Sequence, residues 1–95
     1  MIFVKEHIHD NRRLLAICDG NLIGKTFEEK NKVLNVSKTF YYGEPMFEKD
    51  ILKLIEDNTL LNIVGEESVN FALKNNLIDK KGIIKIKGIP HALLL

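Results

Sequence analysis

Residues 20–26 come within one residue of the phosphate-binding loop of nucleotide hydrolases. That loop needs four residues between its first glycine and the Gly-Lys-Thr triplet, and this chain has three. The missing residue matters because the loop must be wide enough for successive backbone N–H groups to surround a phosphate. Glu28 and Glu29 follow closely and would place two carboxylates beside the bound phosphates. The sequence therefore disfavours nucleotide hydrolysis, and no other motif indicates a particular reaction.

A second set of residues is compatible with a small-molecule pocket. Asn62 and Glu66 flank a predicted strand end, where α/β proteins commonly bind ligands. Cys18 ends another predicted strand, and its thiol would be a nucleophile if a neighbouring base lowered its pKa. The simpler alternatives are that Cys18 packs in the core and that Glu66 only favours a helix dipole. No catalytic residue is assigned, and the candidate pocket comprises Cys18, Asp19, Thr26, Asn62, Gly65, Glu66 and His91.

The chain has three histidines, which could supply a three-histidine metal site. His7 and His9 are two residues apart and would point to one face of a strand. His91 would complete the site, but nothing in the sequence brings it to that strand. The alternative is that His9 belongs to a turn and His7 to a solvated face. We therefore predict no metal and no cofactor, and keep a small enzyme or metal protein around His91, Asp19 and Glu66 as an alternative.

One cation, Lys38, stands beside three aromatic rings at residues 40–42, and Lys85 and Lys87 share one face of a predicted strand. Rings that stack on bases, beside ammonium groups that contact phosphates, are what single-stranded RNA binding requires. The alternative is that the rings pack locally and the lysines are only solvated. Our leading hypothesis is a non-enzymatic binding module associated with RNA or the translation machinery. Its candidate RNA-binding residues are Lys38, Tyr41, Tyr42, Lys85 and Lys87.

Length and composition predict one compact soluble domain spanning residues 1–95. A hydrophobic content of 45% is typical of a globular protein rather than a disordered one. No apolar run approaches the roughly 20 residues that a membrane-spanning helix needs, so we expect no membrane partner. The single cysteine excludes an internal disulfide bond and favours the reducing cytoplasm.

The net charge is +1, but it is distributed unevenly along the chain. Residues 44–67 are acidic, whereas residues 68–95 carry five lysines and a single carboxylate side chain. A near-neutral total argues against strong nonspecific binding to nucleic acid. The uneven distribution nevertheless allows a local basic face.

Periodicity predicts the elements that must position these residues. Residues 2–8 and 14–18 are two apolar stretches, which predict the strands of an antiparallel hairpin with a loop of four or five residues. Residues 22–24 and 32–40 are predicted as further strands.

Two helices are predicted in the second half of the chain. The first has Pro45 in its first turn and Phe47 on its buried face. The second begins near Glu66, and the strands predicted on either side of it, at residues 60–64 and 83–87, would complete a βαβ unit. The predicted fold class is α+β. It is a two-layer α/β sandwich in which a mixed sheet, opened by the antiparallel hairpin, carries two helices on one face.

The last six residues, Pro90 to Leu95, are almost entirely apolar. Because an apolar segment in water is unfavourable, we expect a last strand that docks in the sheet or in a subunit interface. A homo-oligomeric interaction protein, dimeric through this strand, is therefore a second alternative.

The chain resembles a small archaeal family known as domain of unknown function 424. The resemblance covers nearly the full length and rests on residues 18–19, 22–27, 40–44, 62–66, 77–79 and 90–92. Tyr42 departs from the family pattern, which has glycine there, and Leu93 stands where glutamine is more typical. The resemblance implies a compact two-layer α/β domain in an archaeal cytoplasm. It implies no established activity, so no catalytic residue is carried over. It also implies that residues 24–26 belong to a turn typical of that family rather than to a shortened phosphate-binding loop.

Overall fold

A mixed six-stranded sheet organises the computed structural model, which describes all 95 residues. The strands are β1 (Ile2–His9), β2 (Arg12–Asp19), β3 (Thr26–Glu29), β4 (Lys32–Asn35), β5 (Glu44–Met46), β6 (Leu60–Val64), β7 (Ile84–Ile86) and β8 (Ile89–Leu94). The helices are α1 (Lys38–Tyr41), α2 (Glu48–Leu54) and α3 (Glu66–Lys74). The large sheet has the order β5-β1-β2-β6-β8-β7, and β3 pairs only with β4. Only β2 and β6 are parallel neighbours.

The first hairpin is tighter than predicted. β1 and β2 pair without a break up to His9 and Arg12. Only Asp10 and Asn11 form the turn, with φ of 52° and 60°. A two-residue turn of this kind needs positive φ at both positions, and aspartate and asparagine tolerate it well. The strands therefore extend through residues that were predicted as loop.

Alternation along the central strands creates one apolar cluster on each face of the sheet. Leu15 and Ile17 of β2 point to the face covered by α2 and α3, whereas Ala16 and Cys18 point to the opposite face. The helix-side cluster consists of Ile2, Val4, Leu15, Ile17, Ile51, Leu61, Ile63, Val69, Phe71 and Ala72. Burying each large aliphatic or aromatic side chain contributes about 1.5–3 kcal/mol, so this cluster fixes both helices on one face. The predicted α+β class, with a mixed sheet, an N-terminal hairpin and two helices on one face, is confirmed.

The opposite face carries a cover that was not predicted, made of the β3–β4 sheet and α1. Leu34 and Val36 are buried there against β2, β6 and β7. Residues 32–40, predicted as one strand, divide into β4 and α1 because Ser37 caps the helix by accepting a hydrogen bond from the Phe40 amide at 3.2 Å. Residues 22–24 are likewise not a strand, since a 3-10 turn occupies Gly20–Leu22.

Pro45 lies in β5 rather than in a helix. β5 is an edge strand, and an edge strand tolerates the missing N–H of proline. α2 begins only at Glu48, and Phe47 is 68% exposed instead of lying on a buried face.

The predicted βαβ unit is split by the last strand. β6 and β7 are both antiparallel to β8, which lies between them, so β6 and β7 run in the same direction without touching. The expectation that the last strand docks in the sheet is confirmed. None of the helices has the length and apolar character needed to traverse a bilayer.

Candidate functional site

The segment that comes closest to a phosphate loop is closed by its own hydrogen bonds. After the turn at Gly20–Leu22, the Gly24 amide donates to the Val36 carbonyl at 2.6 Å. The Lys25 amide donates to the Leu22 carbonyl at 3.1 Å. A phosphate loop needs such N–H groups free to surround an anion. This segment therefore cannot serve as one.

Asp19 ends β2 and caps the start of α3. Its Oδ1 accepts hydrogen bonds from the Ser68 amide at 2.8 Å and the Ser68 hydroxyl at 2.7 Å. Its Oδ2 accepts one from the Glu67 amide at 3.0 Å. The residue is almost fully buried, with 8% exposure, and a carboxylate at this position also complements the helix dipole. Both carboxylate oxygens of Asp19 are thus bonded within the fold, so the side chain is not available as a general acid or base.

Gly65 makes this cap sterically possible. Its φ of +109° is one that side chains rarely adopt, and a Cβ built there would lie 2.3 Å from Cγ of Asp19. Glu66 follows as the first residue of α3, and its side chain is exposed. Gly65 and Glu66, predicted as pocket residues, therefore form the start of α3.

A second polar cluster lies on the opposite face, beneath α1. Oδ1 of Asn62 accepts hydrogen bonds from the Tyr41 hydroxyl at 2.8 Å and from Nε2 of His91 at 3.1 Å. Because the acceptor is a carbonyl oxygen, Nε2 of His91 carries the proton. These bonds tie α1 to β6 and β8.

The titratable groups on this face favour their neutral forms. Burial raises the pKa of the Cys18 thiol to about 12, and the negative charge of Asp19 adds to the effect. Burial also raises the pKa of Tyr41 to about 12 and lowers the pKa of His91 below 6.5. A nucleophilic cysteine needs a depressed pKa, so the thiol of Cys18 is an inert core group. His91 is neutral at pH 7 and already holds a hydrogen-bond partner.

The predicted pocket is therefore not assembled. Asp19 and Gly65 meet at the start of α3 on the helix side, whereas Asn62 and His91 meet on the other side of the sheet. Thr26 lies apart on β3, where its hydroxyl donates to Asn35 at 3.3 Å. The single cluster expected around His91, Asp19 and Glu66 fails because alternate residues of neighbouring strands point to opposite faces.

The three histidines are also separate. His7 stacks on the ring of Phe40 with a centroid distance of 4.4 Å and donates from Nε2 to the Phe40 carbonyl at 2.9 Å. His9 lies exposed beside Asp10 at the hairpin turn. No group of three or more His, Cys, Asp or Glu side chains is placed to hold a metal ion.

The aromatic segment divides between core and surface. Tyr41 is only 4% exposed and bonds to Asn62, so its ring cannot stack on a base; this candidate is corrected. Tyr42 is 60% exposed and packs against Phe3 at a centroid distance of 5.7 Å. Lys38 lies beside this ring pair.

These residues form a cleft of about 280 Å³, which we call the aromatic cleft. It is lined by Phe3, Gly20, Ile23, Lys38 and Tyr42. Phe3, Gly20 and Ile23 were not predicted as site residues. The alternation of β1 marks Phe3 as facing away from the helices, but only the tertiary contact with the segment after β2 turns it into a cleft wall.

Lys85 and Lys87 lie far from the aromatic cleft. β7 is separated from β1 by β2, β6 and β8, which at the usual strand spacing is roughly 19 Å. Lys85 also points to the helix side, because it pairs with Pro90 in the register opposite to that of Ile84 and His91. The predicted RNA-binding residues therefore occupy two surfaces rather than one.

Comparisons with known proteins identify the family and support the fold. The family model described as protein of unknown function (DUF424) matches residues 6–95. The crystal structure of an uncharacterized conserved protein from Methanopyrus kandleri is similar, with a TM-score of 0.79 and 24% identity, covering 98% of this chain and 89% of that chain. No curated protein matches. The similarity to the solved structure extends to the fold alone.

Proposed function

The chain belongs to the DUF424 family, and we propose that it is a non-enzymatic module that binds single-stranded RNA through the aromatic cleft. The observation that carries this proposal is the meeting of an exposed ring, Tyr42, with a second ring and a lysine. A base that stacks on Tyr42 would place its phosphate within reach of Lys38.

The side chains best suited to chemistry are held within the fold, outside the cleft. The thiol of Cys18 has a raised pKa, and the carboxylate of Asp19 is held by three donors. His91 is neutral and bonded to Asn62. No carboxylate, histidine or cysteine side chain lines the cleft.

The test is fluorescence anisotropy with a labelled single-stranded RNA, titrated at about 50 and 200 mM salt. Tyr42→Ala should weaken binding by about 5- to 150-fold, because stacking on an aromatic ring is worth about 1–3 kcal/mol per base. Lys38→Ala should weaken binding and reduce the slope of log affinity against log salt by about 0.7.

The matched control is Lys85→Ala, which removes the same charge from an exposed lysine outside the cleft. It should leave affinity nearly unchanged. No binding at the lower salt concentration, or an equal loss in Lys38→Ala and Lys85→Ala, would contradict the proposal. Cosedimentation with ribosomal subunits, compared between wild type and Tyr42→Ala, tests whether the RNA belongs to the translation machinery.

A further inference from the structure

A separate groove of about 400 Å³ lies on the helix side of the sheet, between α3 and β7. Its apolar lining comes from Val69, Leu73, Ile83 and Pro90. Its polar lining comes from Lys80 and Lys85 on the sheet side and from Glu66 and Asn70 on α3. The volume is within the range of specific ligand sites, which join an apolar floor to a few convergent polar groups. We call this site the edge groove.

The rim of the edge groove carries lysines that form no ion pair. Lys80 and Lys85 line the groove, Lys81 and Lys87 follow them closely in the sequence, and all four are exposed. The ion pairs of the molecule within 4.0 Å involve none of these four lysines. The rim therefore offers ammonium groups to an anionic partner without first breaking a salt bridge.

β7 borders the edge groove and is the outermost strand of the sheet. Ile84, Lys85 and Ile86 lie opposite His91, Pro90 and Ile89 of β8. Hydrogen-bonded and non-hydrogen-bonded pairs alternate along an antiparallel ladder, and Pro90 has no N–H to donate, so Lys85 and Pro90 are a non-hydrogen-bonded pair. The backbone N–H and C=O of Lys85 therefore point away from the sheet. The amide of Lys87, in the turn that follows β7, already donates to a carboxylate oxygen of Glu29 at 2.6 Å, so the free backbone groups of this edge are those of Lys85.

We propose that the edge groove and the outer edge of β7 bind an extended acidic peptide from a partner protein. The peptide backbone pairs with Lys85, as in the addition of a strand to an exposed sheet edge. An aliphatic side chain rests on Leu73 and Ile83, and a carboxylate two residues away points to the same side and meets Lys80 or Lys85. The apolar floor offers no partner to the continuous phosphate chain of a nucleic acid. The site is independent of the aromatic cleft and goes beyond RNA binding.

The test begins with selection of random octapeptides displayed on phage against the immobilised full chain. Enriched peptides should alternate aliphatic and acidic residues. Synthetic labelled copies should bind Lys85→Glu at least about tenfold more weakly than wild type, because a repulsion replaces an attraction at an exposed site that does not support the fold. Lys38→Glu is the matched control and should bind the same peptides as wild type.

Three outcomes would overturn the proposal. The first is no enrichment over beads without protein. The second is enriched peptides that bind Lys85→Glu as tightly as wild type. The third is displacement of the peptides by single-stranded RNA in the Lys38→Glu protein, which would make the edge groove a nucleic-acid surface.

Discussion

The contact between Asp19 and Gly65 gives a stability prediction with a built-in control. Asp19→Ala removes three hydrogen bonds to the start of α3 and leaves the Ser68 hydroxyl buried without this acceptor. The loss of a cap costs about 0.5–2 kcal/mol, and hydrogen bonds to a charged group are each worth about 1.5–3 kcal/mol but are not additive. We expect the free energy of unfolding to fall by about 2–4 kcal/mol.

Gly65→Ala should destabilise the protein for two reasons. A φ of +109° is strained for alanine, which costs about 1–3 kcal/mol. The new Cβ would also lie within 2.6 Å of all three carboxyl atoms of Asp19, so the carboxylate must move and weaken its bonds to α3. The single substitution should therefore cost about 3 kcal/mol or more.

The double variant separates these two causes. In the Asp19→Ala background the carboxyl atoms are gone, so Gly65→Ala retains only the backbone strain. The combined loss should be smaller than the sum of the two single losses by at least about 1 kcal/mol, which is a coupling expected of residues in contact. The measurement is urea unfolding of the four proteins, followed by circular dichroism at constant pH. Additive losses within about 0.5 kcal/mol would refute the steric account of Gly65.

Three further predictions concern His91, Cys18 and the last strand. Burial lowers the pKa of His91 in the folded state, so as the pH falls the unfolded chain takes up this proton at a higher pH than the folded chain does. The free energy of unfolding should therefore decrease as the pH falls below 6.5. Unfolding experiments on His91→Gln should show a weaker dependence of this free energy on pH. Cys18 is fully buried with a pKa of about 12, so a thiol reagent at pH 8 should label it only after unfolding; prompt labelling of the folded protein would contradict its assignment to the core. The homodimer through the C-terminal strand stays a prediction, and Leu93, which is 49% exposed on β8, supports it. Sedimentation should show a mass that rises with protein concentration, and Leu93→Lys should restore the mass of the monomer. A constant monomer mass in the wild-type protein would exclude the dimer.

The architecture was predictable where a single strand or helix carries its own periodic signal. β1 alternates, and β2 and β6 are short, mostly apolar runs typical of buried strands, so the α+β class followed. The cover on the other face was missed because Ser37 interrupts what looks like one long strand, and a cap is decided by a hydrogen bond rather than by hydrophobic pattern. Pro45 fits a helix start or an edge strand equally well, and only the pairing of β5 with β1 distinguishes the two.

The candidate site was less predictable because its contacts join distant parts of the chain. Asp19 meets Ser68 across 49 residues, and Tyr41 meets Asn62 across 21. Residue type alone suggested that the carboxylate of Asp19 and the ring of Tyr41 are free to bind a ligand, whereas both form hydrogen bonds within the fold. Tyr42 differs from Tyr41 only in the direction of its side chain, and that direction is set by the end of α1.

These contacts change what the family motifs mean for function. Residues 18–19, 62–66 and 90–92 contribute much of the sequence resemblance, and in the structure they hold the cap of α3 and the bridge beneath α1. Their chemistry is explained by folding, so they give no reason to expect a reaction. The aromatic cleft lies at β1 and the edge groove at β7, and β2, β6 and β8 separate these two strands. Lys38→Ala should therefore weaken the binding of RNA alone, and Lys85→Ala should weaken the binding of the peptide alone. If either substitution weakened the binding of both ligands, the two would share one surface, which contradicts the separation of the two sites in this fold.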